Sequence, residues 1–281
     1  MNTMIIEVSS AAAGSTPDDL LAVPFFEAPA GPDPGPGAAE AARVMGADLT
    51  SLLDRQGFRG RPGDTATLAG DMVALMDALG HQRFAMAGHD TGMWIGYALA
   101  ADHPGRVARL AVAETPLPGV SPSPPLFANA HLNDALWHFG FNRLAEVNEQ
   151  LVTGREQTYF GWQFASKAAK KLPDYAVRYY VGTLAASPEA LHASFEIYRA
   201  LDTTIAQNQE RKTRRLTLPI LGIGGQYSLG DQVAGTMKLA ADDVETLVVP
   251  GCAHWVPEEA PDQLLAALTT FLAPYRAGPG S

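Results

Sequence analysis

This sequence predicts an α/β fold, a doubly wound and mostly parallel sheet interrupted by an all-helical insertion, on three observations. From Asp64 to Glu114, helical apolar spacing and short apolar runs alternate, which is the pattern of a doubly wound sheet. Between about 119 and 216 the strand-like runs vanish and aromatic residues crowd in, among them Phe139, Phe141, Phe160, Trp162, Phe164 and Tyr180. Apolar strand-like runs then return at Thr217 to Gly224 and Val244 to Val249. A chain of 281 residues with 47% hydrophobic content buries a full core, so one large α/β domain is the default. The predicted division is an atypical, partly linker-like N-terminal region at 1–63, a core at 64–118 and 217–275, and a helical insertion at 119–216.

Met4 to Val8 reads as an edge strand. From Ala11 to Ala42 the chain is rich in Ala, Gly and Pro, and Ala30 to Gly37 is linker-like, so the first strands of the sheet are partly degenerate. Leu20 to Val23, running into Pro24, and Ala42 to Leu49 are the strand candidates there. Asp64 or Thr65 then N-caps a helix whose apolar positions Leu68, Met72, Leu75, Met76 and Leu79 recur at helical spacing, and Gly80 ends it. Phe84 to Ala87 is a strand that runs into Gly88-x-Asp90-x-Gly92. That pentapeptide has the form of a nucleophile elbow with a carboxylate at its centre. The strained strand-to-helix turn brings neighbouring backbone too close for a Cβ at either glycine. Ile95 and Leu99, with the small Gly96 and Ala100, suit the following helix to close packing on a sheet. His103-Pro104-Gly105 ends it, and the buried strand Val107 to Ala113 stops at Glu114-Thr115-Pro116. Asp90 and Glu114 thus both lie at carboxyl ends of strands, where such sheets bind ligands. Pro250 to Trp255 is a loop at the end of the last strand. Pro261 opens a final amphipathic helix with Leu264, Leu265, Leu268 and Phe271, and the tail from Pro274 is expected to fray.

The net charge of −10 argues against nucleic acid and anionic membranes as partners, because both require clustered Lys and Arg. The densest basic group, Arg211-Lys212-Thr213-Arg214-Arg215, reads as a solvated helix end. The lone Cys252 excludes an internal disulfide, fits a reducing compartment and reads as a small filler beside His254. Met1 to Ser10 has Glu7 where a signal peptide is basic, and no run reaches the ~18 apolar residues of a membrane span, so a cytoplasmic location is expected.

Five motifs follow one another in order: Gly88-His89-Asp90-Thr91-Gly92, His103-Pro104-x-Arg106-Val107, Gly154-Arg155-Glu156, Phe195-Glu196-x-Tyr198-Arg199-Ala200 and Gly251-x-x-His254-Trp255. Together they resemble the α/β-hydrolase superfamily, specifically its Asp-nucleophile branch of epoxide hydrolases and related dehalogenases, over roughly Asp64 to Leu272. The resemblance implies that the insertion is a helical cap and that Asp90 opens an epoxide, or expels halide, to leave an ester on its own carboxylate. It makes His254, whose pKa lies near neutrality, the base for the water that hydrolyses the ester. The implied acid behind the base is Glu114, which falls where some related dehalogenases carry theirs, with Asp231 as the alternative, since Gln226 stands at the position many epoxide hydrolases of this kind use and cannot stabilise an imidazolium by charge. Tyr198 and Tyr159 are the implied donors to the epoxide oxygen, and the Thr91 N–H an oxyanion donor. His89, Trp94, Trp137, His138 and Trp255 are the implied substrate-binding residues of an apolar pocket.

The arginines that bind carboxylate in fluoroacetate-type relatives fall at Thr91 and Trp94, and the halide-binding Trp of haloalkane dehalogenases falls at Thr91, which favours an epoxide. The family's His-Gly-x-Pro loop has no counterpart here and would fall near Val23 to Pro32. The expected partner is a small apolar substrate, with neither metal nor organic cofactor, in a chain compatible with a homodimer. The alternatives are a haloalkane or haloacid dehalogenase, and a catalytically impaired or repurposed member that binds a hydrophobic ligand or guides a cyclisation.

Overall fold

The computed structural model describes residues 63–125 and 128–276, with three two-residue strands ahead of them: β1 (Met4–Ile5), β2 (Phe25–Phe26) and β3 (Asp33–Pro34). The strand readings at Leu20 to Val23 and Ala42 to Leu49 lie outside the described residues, as does Val23 to Pro32 apart from β2.

Four strands form the body of the sheet: β4 (Phe84–His89), β5 (Val107–Ala113), β6 (Ile220–Gly225) and β7 (Val244–Val249). They lie side by side in the order β4-β5-β6-β7, all parallel, and β1 adds to β4 antiparallel with Met4 opposite Gly88. The register sets His89 beside Ala113 and Gly225 beside Val249, so the carboxyl ends of all four strands share one edge of the sheet.

Helix α1 (Thr65–Ala78) begins where Asp64 Oδ1 accepts the N–H groups of Ala66 and Thr67 at 2.9 and 3.2 Å, and Gly80 closes it with φ 80°. Helix α2 (Thr91–Asp102) follows the elbow and is buried along almost its whole length. At Gly96 a Cβ would stand 2.9 Å from Leu110 Cδ1 of β5, so the small residue lets α2 pack closely on the sheet with Leu110 in place.

Between β5 and β6 run six helices: α3 (Ala130–Asn142), α4 (Val147–Val152), α5 (Glu156–Ser166), α6 (Asp174–Leu184), α7 (Pro188–Arg199) and α8 (Leu201–Arg211). Helices α9 (Gln232–Lys238), α10 (Val256–Glu259) and α11 (Pro261–Arg276) complete the chain. One buried cluster joins α1 and α2 to one face of the sheet, a second joins α11 to the other face, and a third lies within the insertion and takes in Trp255.

Two expectations are corrected. Arg211 is not part of a solvated helix end: it is buried, bonds Asp102 through Nε at 2.9 and 3.0 Å, and donates from its guanidinium to Thr65 Oγ1 and Asn208 Oδ1. It fastens α8 to α1 and α2. Arg211→Met leaves Asp102 without its partner, and urea denaturation is expected to show a loss of about 3 kcal/mol. Nor does the last helix fray at Pro274; α11 continues through it to Arg276 because Phe271 and Leu272 are buried and Tyr275 packs against the same cluster. Among the described residues no helix is long and apolar enough to cross a membrane.

Candidate active site

Asp90 sits at the turn from β4 into α2 with φ 53° and ψ −124°, a conformation that costs on the order of 1–3 kcal/mol for a residue with a Cβ. Two things hold it there. Its N–H donates to Ala113 O at 2.9 Å, and Gly88 lies so close to the turn that a Cβ there would stand 2.2 Å from Gly92 O. Gly88 is therefore a steric necessity of the motif. The Asp90 side chain keeps 15% of its surface exposed, enough to meet a substrate.

His254 comes from the loop after β7 and brings Nε2 to 3.1 Å from Asp90 Oδ2. On its far side Nδ1 lies 3.4 Å from Glu114 Oε2. Glu114 follows β5 with a second positive φ of 67°, is buried, and accepts the Gly225 N–H at 2.5 Å through its other oxygen. Gly225 is also a forced glycine, since a Cβ would stand 2.1 Å from Ala253 O. The three side chains thus form a line from the sheet edge, Glu114 to His254 to Asp90. Asp231, the other candidate acid, is exposed at the N-terminus of α9.

Burial disfavours charge on His254, but the hydrogen bonds to Asp90 and Glu114 outweigh it and raise its pKa. Burial likewise opposes the Asp90 carboxylate, yet His254 holds its pKa far below the usual range, so Asp90 is ionised. His89 behaves differently. Burial and the neighbouring His254 charge lower it to about 4, and as a neutral ring it donates from Nε2 to His254 O at 2.6 Å.

The loop carrying His254 is held by several groups, of which Glu259 and Lys167 belong to no sequence motif. Glu259, buried in α10, accepts the N–H groups of Ala253 (3.2 Å) and Trp255 (3.1 Å) on one oxygen and that of Ala169, in the insertion, on the other (2.8 Å). The His254 N–H itself donates to Lys167 O at 3.1 Å. Trp255 donates its indole N–H to Phe164 O at 3.0 Å and lays its ring edge-on to His254, so it braces the base against α5.

Facing Asp90 from the insertion are His138 on α3 and Tyr198 on α7, their rings 5.8 Å apart and both within the field of the Asp90 charge. Burial pushes Tyr198 well above its ordinary pKa, which keeps its hydroxyl protonated. Burial and the adjacent Lys167 lower His138 to about 3, so it is neutral. Trp94 is fully buried beneath them, against Phe139 and Tyr198, with its N–H on Pro116 O at 2.8 Å. Thr91, also fully buried, begins α2 directly after Asp90.

Tyr159, the other implied donor, gives its hydroxyl to Asn142 Oδ1, and Asn142 and Tyr159 both lie within reach of Tyr198. Trp137 is 41% exposed, among Phe141, Tyr159 and Trp162, and does not share a wall with Trp94. The reason is helical geometry: His138 and Asn142 are four apart and turn inward, whereas Trp137 and Phe141 share the adjoining face. Among the described residues no cluster suited to a metal ion occurs.

Residues 34–261 match the family described as alpha/beta hydrolase fold. The chain is similar to a soluble epoxide hydrolase from Corynebacterium sp. (strain C12), 27% identical over 86% of this chain and 84% of that protein. It is similar to a fluoroacetate dehalogenase from Burkholderia sp., 28% identical over 75% of this chain and 70% of that one. Among solved structures, Cfl2 from Burkholderia cenocepacia superposes with a TM-score of 0.70 at 30% identity, over 74% of this chain and 71% of that one.

Proposed function

This chain belongs to the alpha/beta hydrolase fold family, and from that premise we propose that it hydrolyses an apolar epoxide through a covalent ester on Asp90. The observation that carries the reading is the placement of an ionised carboxylate on the strained elbow, within 3.1 Å of a histidine that has a second carboxylate behind it. An aspartate there can attack an sp3 carbon; a serine would be needed for ordinary acyl transfer. The 27% identical epoxide hydrolase supports the same choice.

In the first step an Asp90 oxygen bonds to one ring carbon while that carbon's bond to the epoxide oxygen breaks. The charge moving onto that oxygen meets two donors, the Tyr198 hydroxyl and an N–H of neutral His138. Tyr198 passes its proton to the alkoxide. Esterification also removes the Asp90 charge that helped raise His254, leaving only Glu114 to favour the imidazolium. His254 is thereby returned toward the range of a general base at the moment a water must be deprotonated. The hydroxide adds to the ester carbonyl next to the Thr91 N–H, and the tetrahedral centre collapses with its acid proton passing to the departing alkoxide, so diol leaves with the Asp90 carboxylate restored. The proton held by His254 returns through solvent to the Tyr198 phenolate, which resets both groups. Glu114 orients the ring and offsets its charge without taking the proton. Because the base acts only when neutral, turnover is present above the pKa of His254 in the ester and lost as pH falls through it.

A single turnover of styrene oxide in ¹⁸O-water tests the mechanism. Water that attacks the ester carbonyl leaves its oxygen on Asp90, so the peptide containing Asp90 gains the label and the first-turnover diol does not. Label found in the diol alone would mean direct attack of water on the epoxide and would sink the reading. A second reading, a dehalogenase using the same ester, rests on the 28% identical fluoroacetate dehalogenase; halide release from a haloacid without diol formation from epoxides would favour it.

A further inference from the structure

Lys167, which caps the end of α5, has no part in the mechanism above. Its side chain runs inward, and Nζ lies 3.4 Å from Nδ1 and 3.3 Å from Nε2 of buried His138. Nearly equal distances to both ring nitrogens mean that the ammonium is aligned with neither lone pair. Its other N–H groups have no bonded partner among the described residues. Neither does Lys167 form an ion pair among those residues, whereas nearby Lys171 pairs with Asp174 at 2.7 Å. Burial lowers its pKa to about 8, partly offset by the field of Asp90, so it is largely charged at neutral pH.

A sheltered ammonium without an anion is costly, and sites that keep one gain when an anion arrives. We propose that Lys167 is an anion-binding residue of this site and that the preferred substrate carries a carboxylate near its electrophilic carbon. The inference rests on the ester reading, whose wholly apolar epoxide it replaces with a substrate bearing an acid group: it places the reacting carbon on Asp90 and the carboxylate on the opposite, insertion side of the site. Thr91 and Trp94, beside the nucleophile, carry no charge to hold such a group. A monoanion fits better than a phosphate dianion, because one cation must balance it against the Asp90 carboxylate. The carboxylate can belong to an epoxy acid or to a halo acid, and the experiment separates the two.

The test compares 3-phenylglycidate with 1-phenyl-1,2-epoxypropane, the same skeleton with methyl in place of carboxylate, in the native enzyme, Lys167→Met and Lys167→Arg. The native enzyme is expected to favour the acid in kcat/KM. Lys167→Met is expected to lower the acid-to-neutral ratio about tenfold or more, and Lys167→Arg to keep most of it. Calorimetry with unreactive 3-phenylpropanoate provides a readout free of chemistry, with affinity expected to fall about tenfold in Lys167→Met. Halide release from 2-chloropropanoate, lost in parallel, would assign the carboxylate to a halo acid; diol from 3-phenylglycidate would assign it to an epoxy acid. Lys167-dependent binding of 3-phenylpropanoate with no turnover of either epoxide or the halo acid would uphold the anion site and overturn the ester reading. An unchanged ratio and affinity in a Lys167→Met protein that melts like the native one would overturn the anion site and leave the ester reading intact. Lys167→Gln replaces the Met variant in the same comparison where the latter fails to fold.

Discussion

In the His254→Gln variant, catalysis is expected to stop at the ester. Asp90 keeps its strained backbone and its ionised oxygen, so the first step still runs, but nothing remains to deprotonate the water. Intact-protein mass spectrometry should show one substrate adduct on nearly every chain, and steady-state turnover should fall on the order of 10³ to 10⁴-fold. Glutamine preserves a hydrogen-bonding contact to the carboxylate, which separates loss of basicity from loss of packing. The native enzyme is expected to show a weaker version of the same trap at acid pH, where His254 in the ester stays protonated and adduct builds up. A His254→Gln protein that releases diol at the native rate would remove His254 from the mechanism.

Asp90→Asn is expected to give the complementary result, with no adduct under any condition and turnover lower by on the order of 10⁵ or more. The amide matches the carboxylate in shape, so the elbow geometry and the buried neighbours are retained. It also deletes the charge that raises His254, and NMR titration of the ring is expected to show its pKa falling relative to the native protein. The direction follows from the cause: a carboxylate within 3.1 Å favours the imidazolium, and an amide does not. Native-level turnover in Asp90→Asn would rule out covalent catalysis by this residue.

What was legible in the sequence is what rests on sterics and local hydrogen bonding. Gly88 marks the elbow because the turn leaves 2.2 Å for a Cβ there, and Asp64 marks the start of α1 because its oxygen reaches two free N–H groups within three residues. The order of strands and helices followed from apolar spacing for the same reason. Glu114 could be placed ahead of Asp231 only through the resemblance to related dehalogenases, because a positive φ at a glutamate is set by the sheet edge around it and has no local signature. Arg211 was read as solvated because its partner Asp102 lies 109 residues away. Glu259, Asn142 and Lys167 left no motif; each gains its role from contacts with a different element. The inward turn of His138 and outward turn of Trp137 depend on how α3 is rotated against α7, which neighbours in sequence do not reveal.

The backbone of His254 is strung between two bodies. Its carbonyl is fixed by His89 at the foot of the sheet and its N–H by Lys167 O at the end of α5, while Glu259 ties the residues on either side of it to Ala169. Whatever lifts the end of α5 to admit a bulky molecule breaks the bond to the His254 N–H and the bond at Ala169. The position of the base is thereby set by the insertion as much as by the sheet, so the acid-base chemistry of the core is anchored in the part of the chain that faces it.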